Sequence, residues 1–165
     1  MSNPGPVLWL CKARYMNHDV IRDRYARLFE LPHCLAAYGE VRGFCLDYRW
    51  GRSRVDDPAL AENWGRTSIP GTFFIGWLFV LIRFARKARP ASVVASSDCR
   101  QVILGYLVAR SLGARFYADL YDDYAEFGLA RIPGVRWMYY RALQRADGIC
   151  AVSRTLAADI EEQYP

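Results

Sequence analysis

Histidine is scarce in this chain of 165 residues, with only His18 and His33 present. Two imidazoles are too few for most zinc sites or for paired catalytic histidines, and no metal site is expected. The glycines never form GxG, so the dinucleotide fingerprint is missing, and there is no GxxxxGK[ST], GxSxG or HExxH. Those absences exclude by motif four large enzyme classes. The five cysteines, Cys11, Cys34, Cys45, Cys99 and Cys150, contain no CxxC pair. They read as small, mostly buried hydrophobes in a reducing compartment. Long apolar runs are missing too: the longest nearly continuous one, Phe73 to Ile82, would rise only about 15 Å as a helix, half of a bilayer core. The opening Met-Ser-Asn-Pro-Gly-Pro has neither a basic n-region nor an apolar h-region, so a cytoplasmic location is expected.

What is present suffices for a core. Hydrophobic residues make up 53% of the chain, which excludes disorder and fits a single domain over residues 1–165. The net charge of +5 is uneven: Met1 to Ala118 carries +8 and Asp119 to Pro165 carries −3. Such a basic front raises nucleic acid as a partner. Its arginines, however, are spread over the polar faces of several helices with no helix-turn-helix, zinc-finger or RNP signature beside them, so no nucleic-acid partner is expected.

Along the chain, Val7 to Cys11 reads as a short buried strand, followed by a polar segment from Lys12 to Asp19. Ile21, Tyr25, Leu28 and Phe29 recur at helical spacing, and Pro32 is expected to stop that helix. Gly43 to Asp47 reads as a second strand. Tyr48 to Ile69 reads as loop with one hidden strand near Thr67 to Ile69. Thr72 to Ala88 is an apolar helix ending in Arg83, Arg86, Lys87 and Arg89. It reads either as a core helix or as an element lying on an anionic membrane surface through Phe73 to Arg89.

From Ser92 the pattern sharpens. Ser92 to Ser96 is a strand, and Asp98 with Gln101 forms a helix-starting box in which each side chain satisfies the other's orphan amide. Gly113 ends the helix and Arg115 to Leu120 is the next strand, which makes a βαβ unit with parallel strands. Val135, Met138, Tyr139, Ala142, Leu143 and Ala146 mark a second helix, Gly148 to Val152 another strand, and Ser153 an N-cap. Five or six strands alternating with helices predict an α/β fold: a Rossmann-like parallel sheet with helices on both faces.

Open sheets of this kind bind ligands beyond the carboxyl ends of their strands. Lys12, Arg14, Tyr15 and Asn17 follow the first strand, Asp98 follows Ser92 to Ser96, Asp119, Asp122, Asp123 and Tyr124 end or follow Arg115 to Leu120, and Ser153 and Arg154 follow the last. Carboxylates grouped with tyrosines suit hydroxyl-rich ligands, which supply hydrogen-bond donors in number. Asp98 and Ser153 are also adequately explained as caps. Three carboxylates within five residues repel one another, which makes a purely structural role for Asp119 to Asp123 the less natural reading.

The stretch Ser97-Asp98-Cys-Arg-Gln-Val-Ile-Leu-Gly-Tyr-Leu-Val-Ala-Arg-Ser-Leu-Gly-Ala-Arg-Phe-Tyr-Ala-Asp119-Leu-Tyr-Asp122-Asp-Tyr-Ala-Glu-Phe127, followed by Arg145-Ala-Asp-Gly-Ile-Cys-Ala-Val-Ser153, resembles the N-terminal domain of family-4 glycosyltransferases of the GT-B fold. The resemblance is strong over Ala91 to Ala158, weak over Val7 to Asp47 and negligible from Tyr48 to Ile69. It implies one lobe of a two-lobed enzyme, with a strand or so of the lobe and the whole C-terminal donor domain lying beyond this chain. It further implies transfer of a sugar from a nucleotide-diphospho-sugar to a hydroxyl acceptor (a glycan or a lipid-linked one), usually with retention and without a bound metal. No cofactor is implied, and the nucleotide-sugar is a co-substrate held mainly by the other domain.

Carried over, the resemblance makes Asp119 and Asp122 candidate catalytic residues. Lys12, Arg14, Tyr15, Asn17, Asp98, Tyr121, Asp123, Tyr124 and Ser153 become acceptor-side candidates. Tyr121 stands where many members carry histidine, and the glycine-rich turn that many have after the first strand is missing, with Lys12 or Arg14 available instead. The alternative is a non-catalytic α/β partner or binding module of a two-chain glycosyltransferase.

Overall fold

The computed structural model describes residues 5–48, 63–68, 74–126 and 128–163. Most of the loop expected from Tyr48 to Ile69, together with Phe73, Phe127, Tyr164 and Pro165, lies outside them.

The first strand, β1 (Val7–Lys12), runs through the middle of the molecule. Its side chains alternate between two separate cores: Leu8 and Leu10 join one, Trp9 and Cys11 the other. A strand buried on both faces needs apolar residues throughout, and that is why this stretch reads as an unbroken apolar run. After it come a small antiparallel ladder of β2 (Arg14–Tyr15) and β3 (His18–Asp19), α1 (Ala26–Leu35) and β4 (Val41–Asp47). Then follow β5 (Trp64–Ser68), α2 (Phe74–Ala88), β6 (Ser92–Ser96), α3 (Cys99–Leu112) and β7 (Arg115–Leu120). Two 3-10 turns, Tyr124–Glu126 and Gly128–Arg131, lead to α4 (Pro133–Gln144), β8 (Gly148–Ala151) and α5 (Arg154–Gln163).

The sheet has six strands, all parallel, in the order β5-β4-β1-β6-β7-β8. Counted in chain order among themselves, these strands run 3-2-1-4-5-6, the Rossmann arrangement, and the order reverses between β1 and β6. The larger core holds Phe44, Leu46, Trp77, Leu81, Val102, Leu104 and Phe116 between the sheet and α2, α3 and α4. On the opposite face α1 and the small ladder enclose Trp9, Cys11, Val20, Ile21, Leu28 and Cys45. Gly105 lets α3 sit close to the sheet, since a Cβ there would lie 2.8 Å from Ala95 Cβ and 3.1 Å from the Phe116 ring.

Several expectations are corrected. The first helix begins at Ala26 rather than near Ile21, because Asp19 Oδ1 accepts from the amides of Ile21 and Arg22 and holds that segment in turns. Pro32 lies inside the helix, three residues before its end, and its ring is buried. The polar segment Lys12 to Asp19 hides the β2–β3 ladder, with Met16 and Asn17 at its tip at φ of 48° and 67°. The strand expected near Thr67 to Ile69 starts earlier, at Trp64, whose indole lies against Gly43 of the neighbouring strand. Asp98 does cap α3, accepting from the Arg100 amide at 2.9 Å, but Gln101 does not return the bond; its buried side chain faces the Tyr48 hydroxyl at 2.8 Å. Cys34 and Cys150 are exposed, whereas Cys11, Cys45 and Cys99 are buried.

Candidate functional site

β1 and β6 end side by side where the strand order reverses, and the chain leaves them in opposite directions. A crevice forms there for topological reasons. Its wall includes a strained residue: Ser97, fully buried between β6 and α3, has a φ of 111°, a region that residues with side chains rarely adopt. Its hydroxyl accepts the Lys12 amide at 3.0 Å and so ties the ends of β1 and β6 together.

A cavity of about 300 Å³ opens at this point, bounded by Lys12 at the end of β1, Tyr15 of β2, Ser97 to Arg100 at the start of α3, and Tyr121, Asp122 and Tyr124 after β7. Lys12 Nζ lies 3.4 Å from Asp98 Oδ2 and 5.8 Å from the Tyr15 ring centre. Asp98 also receives the Tyr48 hydroxyl at 2.7 Å. Burial, then the nearby Asp98 charge, pushes the Tyr48 phenol well above its ordinary value, so it stays a proton donor. The rings of Tyr15, Tyr121 and Tyr124 form a continuous edge-to-face row, with centres 5.7 and 5.9 Å apart. The buried hydroxyls of Tyr121 and Tyr124 make no well-aligned hydrogen bond among the described residues. Burial raises both phenols, so each offers a proton and neither serves as a base at neutral pH. Buried polar atoms are normally satisfied, and these two hydroxyls belong to side chains that line the cavity.

The sequence-based candidates divide into two groups. Lys12, Tyr15, Asp98, Tyr121, Asp122 and Tyr124 line the cavity. Arg14, Asn17, Asp119, Asp123 and Ser153 do not: Arg14 faces Asp47 at 3.9 Å, Asn17 is exposed at the ladder's tip, Asp123 accepts the Ala125 amide, and Ser153 caps α5 by accepting the Leu156 amide. Asp119 departs most from expectation. It is 1% exposed, accepting the Ser96 hydroxyl at 2.7 Å and the Arg27 Nε at 3.0 Å from α1. That hydrogen bond holds the Arg27 guanidinium above its ordinary range. Both carboxylate oxygens thus accept hydrogen bonds from within the protein, and Asp119 does not line the cavity.

Sequence reasoning missed Tyr48, Ser97, Cys99 and Arg100. Tyr48 directly follows a strand and Ser97 directly follows another, so the rule that gathered the other candidates also reaches these two. Burial raises the Cys99 thiol to about 11, which keeps it protonated beside the cavity. Among the described residues no group of three or more His, Cys, Asp or Glu is placed to hold a metal ion.

No protein-family model matches the chain, and no curated protein does. Solved structures do. The UDP-GlcNAc 2-epimerase from Methanocaldococcus jannaschii superposes with a TM-score of 0.65 at 12% identity, over 96% of this chain and 42% of that one. A putative UDP-N-acetylglucosamine 2-epimerase from Listeria monocytogenes gives 0.64 at 10% identity, over 99% and 43%. The S. aureus MnaA structure with UDP gives 0.63 at 10% identity, over 96% and 40%. The chain therefore spans about two fifths of the length of these proteins. At such identities the likeness is one of fold alone: a Rossmann-like α/β domain.

Proposed function

We propose that this chain forms the acceptor-side half of a glycosyltransferase of GT-B type, in which a sugar moves from a nucleotide-diphospho-sugar to a hydroxyl acceptor. The observation that supports this reading is the cavity at the strand-order reversal, where two carboxylates, a lysine and two tyrosines whose buried hydroxyls make no well-aligned hydrogen bond among the described residues stand beside a row of aromatic rings. Each feature matches a property of a sugar. The Tyr121 and Tyr124 hydroxyls donate to ring or hydroxyl oxygens, the Tyr15 ring offers an apolar wall, and the exposed Asp122 accepts from the hydroxyl that is to react. Lys12, held by Asp98, orients oxygens at the opposite wall. The nucleotide-sugar is held mainly by a donor domain outside this chain. Membership of family 4 rests on the resemblance from Ala91 to Ala158.

The test is saturation-transfer NMR of the 165-residue chain with methyl glycosides and, separately, with UDP. Glycoside contacts are expected, weakened by Tyr124→Phe and by Asp122→Asn. Tight binding of UDP with no glycoside contact would overturn the division of labour.

A second reading is favoured by the superpositions at TM-scores of 0.63 to 0.65: the chain as the corresponding lobe of a UDP-GlcNAc 2-epimerase. A longer protein carrying this lobe separates the two. Conversion of UDP-GlcNAc to its 2-epimer with no acceptor added supports the epimerase, and product formed only with a hydroxyl acceptor supports the transferase.

A further inference from the structure

α2 buries one face and leaves the other with an unusual order of side chains. Trp77, Leu81, Ala85 and Ala88 recur every three or four residues and pack into the larger core. On the opposite side Ile75 is 82% exposed and Phe79 71%, one turn apart. Arg83 continues that row, followed by the exposed Arg86 and Lys87, with Arg89 just beyond the helix. The described helix contains no acidic residue, and none of these four basic side chains forms an ion pair among the described residues. Cations in the last turns complement the helix dipole, which accounts for them on a merely structural reading. It does not account for Ile75 and Phe79, adjacent large apolar groups held in water.

We propose that this outward face of α2 docks on an anionic lipid bilayer, with Ile75 and Phe79 entering the headgroup–acyl boundary and Arg83, Arg86, Lys87 and Arg89 meeting lipid phosphates. An apolar end continued by a cationic one is the side-chain order that interfacial binding uses. A protein partner would have to supply an acidic surface matched to these four cations, whereas an anionic membrane supplies negative charge without shape matching. No helix of the described residues is long and apolar enough to cross a membrane, so the association is peripheral. The inference stands apart from the proposed chemistry.

Co-sedimentation of the chain with vesicles of 30% phosphatidylglycerol in phosphatidylcholine tests it, with pure phosphatidylcholine as the control. Binding is expected on the anionic vesicles only and weakened by salt. It should fall about fivefold for each basic residue neutralised, or about 25-fold in Arg83→Gln/Arg86→Gln. Ile75→Ser/Phe79→Ser should bring it to background with an unchanged circular dichroism spectrum, since both side chains are exposed. Equal recovery in the supernatant with and without vesicles overturns the proposal. So does an equal loss on neutralising the exposed Arg110 and Arg115, and so does self-association in solution that Ile75→Ser/Phe79→Ser abolishes, which would assign the face to a second copy.

Discussion

Replacing Asp119 by asparagine removes one charge and almost no volume from the buried end of β7, and its effect decides between two roles for that residue. If the carboxylate is a strut, four contacts change: the Ser96 hydroxyl at 2.7 Å, the Arg27 Nε at 3.0 and 3.3 Å and the Arg27 Nη2 lose an ionised acceptor, and asparagine offers a single neutral oxygen in place of two charged ones. Hydrogen bonds to charged groups contribute about 1.5–3 kcal/mol each and neutral ones about 0.5–1.5. Arg27 is one-third exposed and recovers some hydration, so the net cost is about 2 kcal/mol. Asp119→Ala leaves the Ser96 hydroxyl and the guanidinium without their partner and costs about 3 kcal/mol. With a urea dependence of about 2 kcal/mol per molar, the unfolding midpoint should drop by about 1 M for asparagine and about 1.5 M for alanine, read by circular dichroism. Asp119→Asn combined with Arg27→Met should fall short of additivity by about 1 kcal/mol. An unchanged midpoint in Asp119→Asn together with lost ligand binding would refute the strut and return Asp119 to the reacting centre.

Acid should expose the second buried ion pair. Burial alone would raise the Asp19 pKa, but the amides of Arg22 and Ile21 and the Arg66 guanidinium at 2.7 Å outweigh it and hold the carboxyl below its ordinary range. Its stabilisation is therefore complete above about pH 4 and is lost as pH falls through the lowered folded value. Urea midpoints measured from pH 5 to 2 should fall less steeply in Asp19→Asn, and equal slopes would contradict this. Gly105→Ala improves helix propensity by about 1 kcal/mol yet drives a methyl to 2.8 Å from Ala95 Cβ; the overpacking should win, lowering stability by about 1 kcal/mol net in a thermal melt. Maleimide at pH 7.5 should label Cys34 and Cys150 within minutes and leave Cys11, Cys45 and Cys99 unmodified, as peptide mass mapping would show. Labelling of Cys99 as fast as Cys34 would mean that its surroundings open.

What could be read from the sequence follows from how far each feature depends on distant partners. The βαβ unit from Ser92 to Leu120 was legible because strand, cap, apolar stripe and Gly113 C-cap are all local signals. The cavity residues Lys12, Tyr15, Asp98, Asp122 and Tyr124 were legible by a topological rule, each following a predicted strand, and Tyr121 by the resemblance. The β2–β3 ladder was hidden because two-residue strands have no periodicity. Asp119 looked free because its partner Arg27 lies 92 residues away in the sequence. Pro32 misled for a related reason: a proline can stay within a helix when its ring has a core to enter, and no local pattern announces that core.

The central position of β1 has a consequence for how the chain reaches this state. Val7-Leu-Trp-Leu-Cys11 forms the first strand in the sequence, yet it pairs with Val41–Cys45 on one side only after β4 is available, and Val7 to Leu10 pair with Ser92–Ala95 on the other much later. During synthesis, a strand apolar on both faces therefore waits with one edge unpaired while some eighty residues are added. Parallel pairings of such long separation form slowly, and an apolar edge left open is a template for association with other chains. The same alternation that gives the finished sheet its two cores makes the unfinished one prone to aggregate, so variants that delay β6 should reduce soluble yield more than they reduce final stability.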